Sequence, residues 1–154
     1  MNVTDFISEE LIFTSLAADD KESLIGVMVD RVIEAGRLGA DRRAPLVEKL
    51  LEREALSTTG IGGGVAIPHA SGEAIESMMV AVGQIPDGID YDALDGAPVK
   101  LVFMIIGSER SPRTHLQLLA RLVRICKNRP LLTQLEEADS AAVAMGLIAE
   151  TDRG

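Results

Sequence analysis

The chain has two histidines in 154 residues, and both stand where an imidazole can react. His69 follows Val65-Ala66-Ile67-Pro68, which reads as a brief buried strand stopped by a proline with no N–H for a ladder. The stretch Gly60-Ile61-Gly62-Gly63-Gly64 leads into that strand. The ring is therefore expected at the rim of a sheet with glycine backbone close by. His115 follows Ser111-Pro112, a cap-and-proline helix start, and falls in the first turn of the helix. There the helix dipole favours an anion and keeps an imidazole neutral. A neutral imidazole is a nucleophile towards phosphorus; an imidazolium is not. Arg53 is a third candidate. It lies seven residues after Leu46 and three after Leu50, so it continues an apolar helix face. A guanidinium in that position needs an anion, and Glu54, Glu73 and Asp95 are carboxylates able to supply one.

Several other chemistries do not fit these residues. The glycine stretch lacks the Gly-Lys-Ser/Thr ending of a nucleotide P-loop, and it follows a helix where a dinucleotide fingerprint would follow a strand. A metal site needs three or four ligands, and two separated histidines with no cysteine cluster or His-Glu-x-x-His pattern do not supply them. A hydrolase triad would have to recruit Ser57 or Ser71 without a nucleophile elbow. Cys126, on the apolar face of its helix, reads as packing. From the residues alone, each histidine serves equally as a structural hydrogen-bonder or as a functional group.

These side chains must be carried by a mixture of helices and strands. Ile12-Phe13 reads as a short edge strand. Asp19-Asp20 offers an N-cap to a helix running to about Gly36, with Ile25, Met28, Val29 and Val32 at helical spacing. A second helix, capped by Asp41 and with Pro45 in its first turn, turns Leu46, Val47, Leu50 and Leu51 inward. Met78 to Ile85 is expected as a strand that ends in a Pro86-Asp87-Gly88 turn, and Asp95-Gly96-Ala97-Pro98 as another turn. Val99 to Ile106 is a near-continuous apolar run and reads as a central strand. After it the helix from Pro112 places His115, Leu118, Leu119, Leu122 and Cys126 on one face. A short helix opens at Pro130 and a last one covers Ser140 to Glu150. Helices and strands alternate without strict βαβ order. The expected fold is an α/β single-domain sandwich over residues 1–154, a mixed β-sheet flanked by helices.

One cysteine rules out an internal disulfide framework and fits a reducing compartment. No basic-plus-apolar leader opens the chain, and its longest apolar run is too short to span a bilayer. A cytoplasmic protein without membrane insertion is expected. The net charge of −9 disfavours nucleic acid as a partner. Between Arg110 and Arg129, however, lie six basic residues and no acidic one. The basic helix expected from Arg113 to Arg129 is a candidate for docking an acidic partner face.

The stretch from Arg53-Glu54 through Gly60-Ile61-Gly62-Gly63-Gly64 to Ile67-Pro68-His69-Ala70 resembles the active-site signature of phosphotransferase-system enzyme IIA domains of the fructose–mannitol and nitrogen-regulatory class. Thr114-His115-Leu116-Gln117-Leu118-Leu119 is similar to that family's second motif. Tyr91 to Val99 resembles the segment between the two, and Lys21 to Ile25 the opening helix. The likeness spans essentially the whole chain. It implies an enzyme of the phosphoenolpyruvate-dependent system, a phosphoryl carrier with a phosphohistidine intermediate and no cofactor or metal. His69 would be the phospho-acceptor, taking the group from the phosphocarrier HPr or its nitrogen-branch counterpart. His115 would hold the phosphoryl oxygens, and Arg53 would stabilise charge during transfer. The nitrogen-regulatory branch is the expected type. The alternatives are a sugar-specific IIA passing phosphate to a cysteine of an enzyme IIB domain, and a non-catalytic module that binds regulatory target proteins. One departure is visible. Gly63 stands where many members carry asparagine; both tolerate positive φ, but a side-chain amide is lost.

Overall fold

A computed structural model describes residues 1–153. Two short 3-10 turns lead into β1 (Ile12–Phe13), and then α1 (Lys21–Glu34) begins. Asp20 caps α1 by accepting from the Ser23 amide at 2.8 Å, and the Ser23 hydroxyl accepts in return from the Asp20 amide at 3.3 Å. Next comes α2 (Arg43–Leu56), and here the expected cap fails. Asp41 lies inside a 3-10 turn at Ala40–Arg42; Arg42 occupies the N-cap position and makes no side-chain capping bond. The turn supplies continuous right-handed backbone into the helix, so no extended residue is left for a carboxylate to cap.

The strands that follow are β2 (Gly60–Gly62), β3 (Val65–Ala66), β4 (His69–Gly72), β5 (Met79–Ile89) and β6 (Val99–Ser108). Pro86-Asp87-Gly88 does not end β5. The strand continues to Ile89 through a register irregularity between Gln84 and Ile89, with Gly88 at φ +68°. This is bulge chemistry inside a ladder, which the same residue types also serve. The chain then closes with α3 (Pro112–Ile125), α4 (Arg129–Glu137) and α5 (Ala141–Thr151). Asn128 and Ser140 cap α4 and α5 through bonds from the Leu131 and Val143 amides, at 3.0 and 3.2 Å.

The six strands form one mixed sheet, five of them in the order β1-β5-β6-β3-β2 and β4 paired with β6 off that path. β5 runs antiparallel to β6; β3 and then β4 run parallel to it along its other edge. The apolar run Leu101–Ile106 of β6 follows from burial on both faces. Val102, Met104 and Ile106 pack with α1 and α2, while Leu101, Phe103 and Ile105 pack with α3, α4 and α5. The α/β sandwich with a mixed sheet is thus borne out. Among the described residues no helix is long and apolar enough to cross a membrane.

The two ends of the chain meet on α3. Asp152, 3% exposed, accepts from the Val3 amide at 2.6 Å and from Arg121 Nε at 2.8 Å. Arg121 is therefore committed to the fold and leaves the basic docking set expected from the sequence.

Candidate functional site

β3 ends at Ala66, Ile67 and Pro68 connect it onward, and His69 begins β4 instead of ending a strand. β4 pairs with β6, His69 standing in register with Ile105. Alternation along β4 sends Ala70 into the core beside α2 and turns the His69 ring to the α3 face. There it meets His115: the ring centroids are 5.7 Å apart, with the planes at 76°. The open edge of β4 is a groove of about 540 Å³, lined by Lys49, Glu52, Arg53 and Leu56 from α2, by His69, Ala70 and Ser71, and by His115. All three residues singled out in the sequence are thus brought to one groove.

Hydrogen bonding settles the tautomer of His69. Its Nδ1 lies 2.8 Å from the Ile67 carbonyl, which only accepts, so Nδ1 carries the proton and Nε2 keeps its lone pair. Burial holds the His69 imidazole below its ordinary pKa of 6.5; the Ile67 carbonyl pulls the other way, and the nearby Arg53 charge adds to the lowering. His115 is also held below 6.5, by burial and then by His69. Near neutral pH the pair therefore offers two uncharged rings. The His115 amide is already used in the helix, donating to Ser111 O at 3.1 Å, so it is the imidazole of His115 that meets the groove.

Arg53 is half-buried at the C-terminal end of α2. None of the carboxylates proposed for it is its partner; Nη1 donates to the Ser57 carbonyl at 2.9 Å. The apolar face of α2 is continued by the next residue. Glu54 is buried behind Leu46 and Leu50, at i+8 and i+4. Its carboxylate accepts from the Thr59 amide at 3.1 Å and from Tyr91 Oη at 2.7 Å, bonds the Thr59 hydroxyl, and pairs with Lys21 Nζ at 3.2 Å. Lys21 also lies 4.7 Å from the Tyr91 ring centroid. This network ties α1, α2, the Thr59 segment and the Tyr91 loop together, and it leaves Arg53 as the cation without a carboxylate in the groove.

The glycine stretch is not where it was expected. Gly63 and Gly64 form the turn of the β2–β3 hairpin, and with Gly62, which ends β2, they all have positive φ. The Gly64 carbonyl bonds the amides of Lys100 and Leu101, whereas His69 is in register with Ile105. Four residues of β6, about 13 Å at strand rise, separate the turn from the histidine. The glycines therefore shape the far end of the strand that delivers His69. Gly63 is held there by its amide donating to Asp95 at 3.0 Å and by its carbonyl accepting from Arg129 at 2.7 Å.

Two residues that seat the His115 ring, Ser71 in the groove and Gly107 behind it, were missed from the sequence. Ser71, weighed only as a nucleophile, has Oγ 3.0 Å from His115 Nδ1. Gly107, its register partner on β6, makes room for the ring: a Cβ there would lie 2.4 Å from His115 Nδ1. Neither belongs to a local motif, since strand register and helix packing create both contacts. Among the described residues no three His, Cys, Asp or Glu side chains converge as metal ligands. Chemically, the groove offers one imidazole lone pair, a second imidazole opposite it, and a cation, which suits nucleophilic attack on an anionic group.

Comparison with known proteins adds a lineage. The family model described as "Phosphoenolpyruvate-dependent sugar phosphotransferase system, EIIA 2" matches residues 5–151. The fructose-specific EIIABC component of Bacillus subtilis is 38% identical over 153 residues, which cover 99% of this chain and 24% of that protein. The chain thus spans about a quarter of that relative's length. The fructose-specific EIIA component of Haloferax volcanii is 37% identical over 153 residues, 97% of this chain and 98% of that one. Nitrogen regulatory protein IIA-Ntr from Neisseria meningitidis shares the fold with a TM-score of 0.85 at 25% identity, over 95% of this chain and 98% of that one.

Proposed function

The chain belongs to the EIIA 2 family of the phosphoenolpyruvate-dependent sugar phosphotransferase system, a family of phosphoryl carriers, and on that premise we propose that His69 is its phospho-acceptor. The observation that carries this reading is the Nδ1 bond to Ile67, which leaves Nε2 of a neutral ring as the nucleophile. Nε2 attacks the phosphorus of a phosphohistidine on an HPr-type carrier protein. The P–N bond to the donor ring breaks as the bond to Nε2 forms. Positive charge then builds on the His69 ring, and the Ile67 carbonyl at Nδ1–H offsets it. His115 and Arg53 face the phosphoryl oxygens. Phosphoryl transfer asks a protein mainly for alignment and charge stabilisation, and this set supplies both.

The onward acceptor is a cysteine of an enzyme IIB domain in the sugar branch, or a regulatory target protein in the nitrogen branch. The relatives described above fall on both branches. Incubating the phosphorylated protein with a fructose-type IIB domain separates them: transfer onward favours the sugar branch, retention the regulatory one. A cytoplasmic location and a single EIIA unit over 1–154 complete the proposal.

Purified protein given phosphoenolpyruvate, enzyme I and phosphocarrier should gain one acid-labile phosphoryl group; no uptake would refute the reading. The pH dependence is specific. Since burial places the folded pKa of His69 below 6.5, the ring stays neutral through that value, and uptake should fall only as pH drops further. The same sign governs stability: the contribution of the buried neutral ring is complete above 6.5 and is lost as pH falls from there through the folded pKa. A decline in single-turnover uptake centred at or above 6.5 contradicts this.

A further inference from the structure

We propose that Ser71 is the positioning residue for His115, holding its imidazole as a hydrogen-bond donor towards the group on His69. This rests on the phosphohistidine reading of the groove and adds to it a residue that no local motif identifies. An uncharged imidazole has one N–H, and what bonds the other nitrogen decides where that proton sits. A tautomer with the proton on Nδ1 would aim the Nε2 lone pair at phosphoryl oxygens and repel them. The opposite tautomer aims an N–H at them.

Three features favour the second arrangement. The Ser71 hydroxyl lies 3.0 Å from His115 Nδ1, its one hydrogen-bond partner among the described residues, and in the proposed arrangement it donates its proton to that nitrogen. Steric fit holds the ring in place. Gly107, in register with Ser71, leaves a notch in which an added Cβ would stand 2.4 Å from His115 Nδ1 and 3.0 Å from Ser71 Oγ. The serine itself is anchored, because its carbonyl accepts from Lys49 Nζ at 3.1 Å, and Lys49 in turn pairs with Glu109 at 2.8 Å. Ser71, Gly107 and Lys49 thus come from β4, β6 and α2, and together they seat a ring that α3 delivers. Ser71 does not touch the reacting atoms; it acts through His115.

The test is a double-mutant cycle with Ser71→Ala and His115→Ala, read by phosphoryl uptake and by ¹⁵N NMR of the unphosphorylated protein. In the wild type, His115 should show one tautomer, with Nδ1 unprotonated and hydrogen-bonded and Nε2 protonated. In Ser71→Ala the ring should show mixed tautomers, and uptake should slow roughly two- to tenfold, the range a single neutral hydrogen bond covers. Ser71→Thr, which keeps the hydroxyl, should restore both. In a His115→Ala background, removing Ser71 should slow uptake no further, because its effect passes through the ring. Additive losses in the cycle, or an unchanged His115 spectrum in Ser71→Ala, overturn the proposal. A wild-type protein that takes up no phosphate counts against the phosphohistidine reading instead, and the NMR arm still decides whether Ser71 sets the tautomer.

Discussion

Replacing His69 with alanine should remove phosphoryl uptake altogether, leaving no acid-labile label after prolonged incubation with enzyme I and phosphocarrier. No other group in the groove can take over. His115 Nε2 is assigned as a donor, and the Ser71 hydroxyl is spent on His115 Nδ1. Cys126 is buried, and burial pushes its thiol up to about 12, far from a usable thiolate. Nor should unfolding account for the loss. The ring is only partly buried, and its one hydrogen bond among the described residues, to the Ile67 carbonyl, contributes on the order of 1 kcal/mol. Circular dichroism of the variant should therefore overlay that of the wild type. Label retained by a folded His69→Ala protein would place the chemistry on another residue.

The second large effect concerns stability. Glu54→Ala should destabilise the fold by about 3 kcal/mol, because four partners lose a buried acceptor at once. The Thr59 amide and the Tyr91 hydroxyl are left inside the protein, and Lys21 loses its counter-charge. For a chain of this size that corresponds to a melting temperature lower by roughly 10 °C. Glu54→Gln, which keeps an acceptor oxygen but not the charge, should fall between the two. Below its melting transition the alanine variant should still accept phosphate on His69, since Glu54 bonds none of the groove residues. Urea or thermal unfolding midpoints decide the matter, and a shift of less than about 1 kcal/mol would mean that water replaces the carboxylate at little cost.

This contrast shows where the sequence was legible. β6 could be read as a central strand because burial on both faces makes it apolar from Leu101 to Ile106, with Val102 and Phe103 facing opposite layers. The caps at Asp20 and Ser140 follow from local chemistry alone. His69, His115 and Arg53 were identified as a set, and they do meet in one groove. The relation between His69 and the glycines was not legible. Adjacency along the chain suggested a histidine presented by a glycine loop, but an intervening strand carries the two to opposite ends. Helical spacing pointed to Arg53 as the inward charge, where a shift of one residue buries Glu54 instead. Pro86-Asp87-Gly88 has the composition of a turn and serves as a bulge, since β6 offers a partner on both sides of it. Ser71 and Gly107 could not be found at all without the register that pairs them, because their roles come from a ring supplied by another layer of the fold.

The central claim is that a phosphoryl group sits on Nε2 of His69, opposite His115. It is tested most directly by phosphorylating the uniformly ¹⁵N-labelled wild-type protein and recording ³¹P and imidazole ¹⁵N spectra before hydrolysis. The account predicts a single phosphohistidine signal, coupled to Nε2 of His69, with Nδ1 of that ring still protonated against the Ile67 carbonyl. A phosphoryl group found on Nδ1 of His69, or on His115, would contradict it.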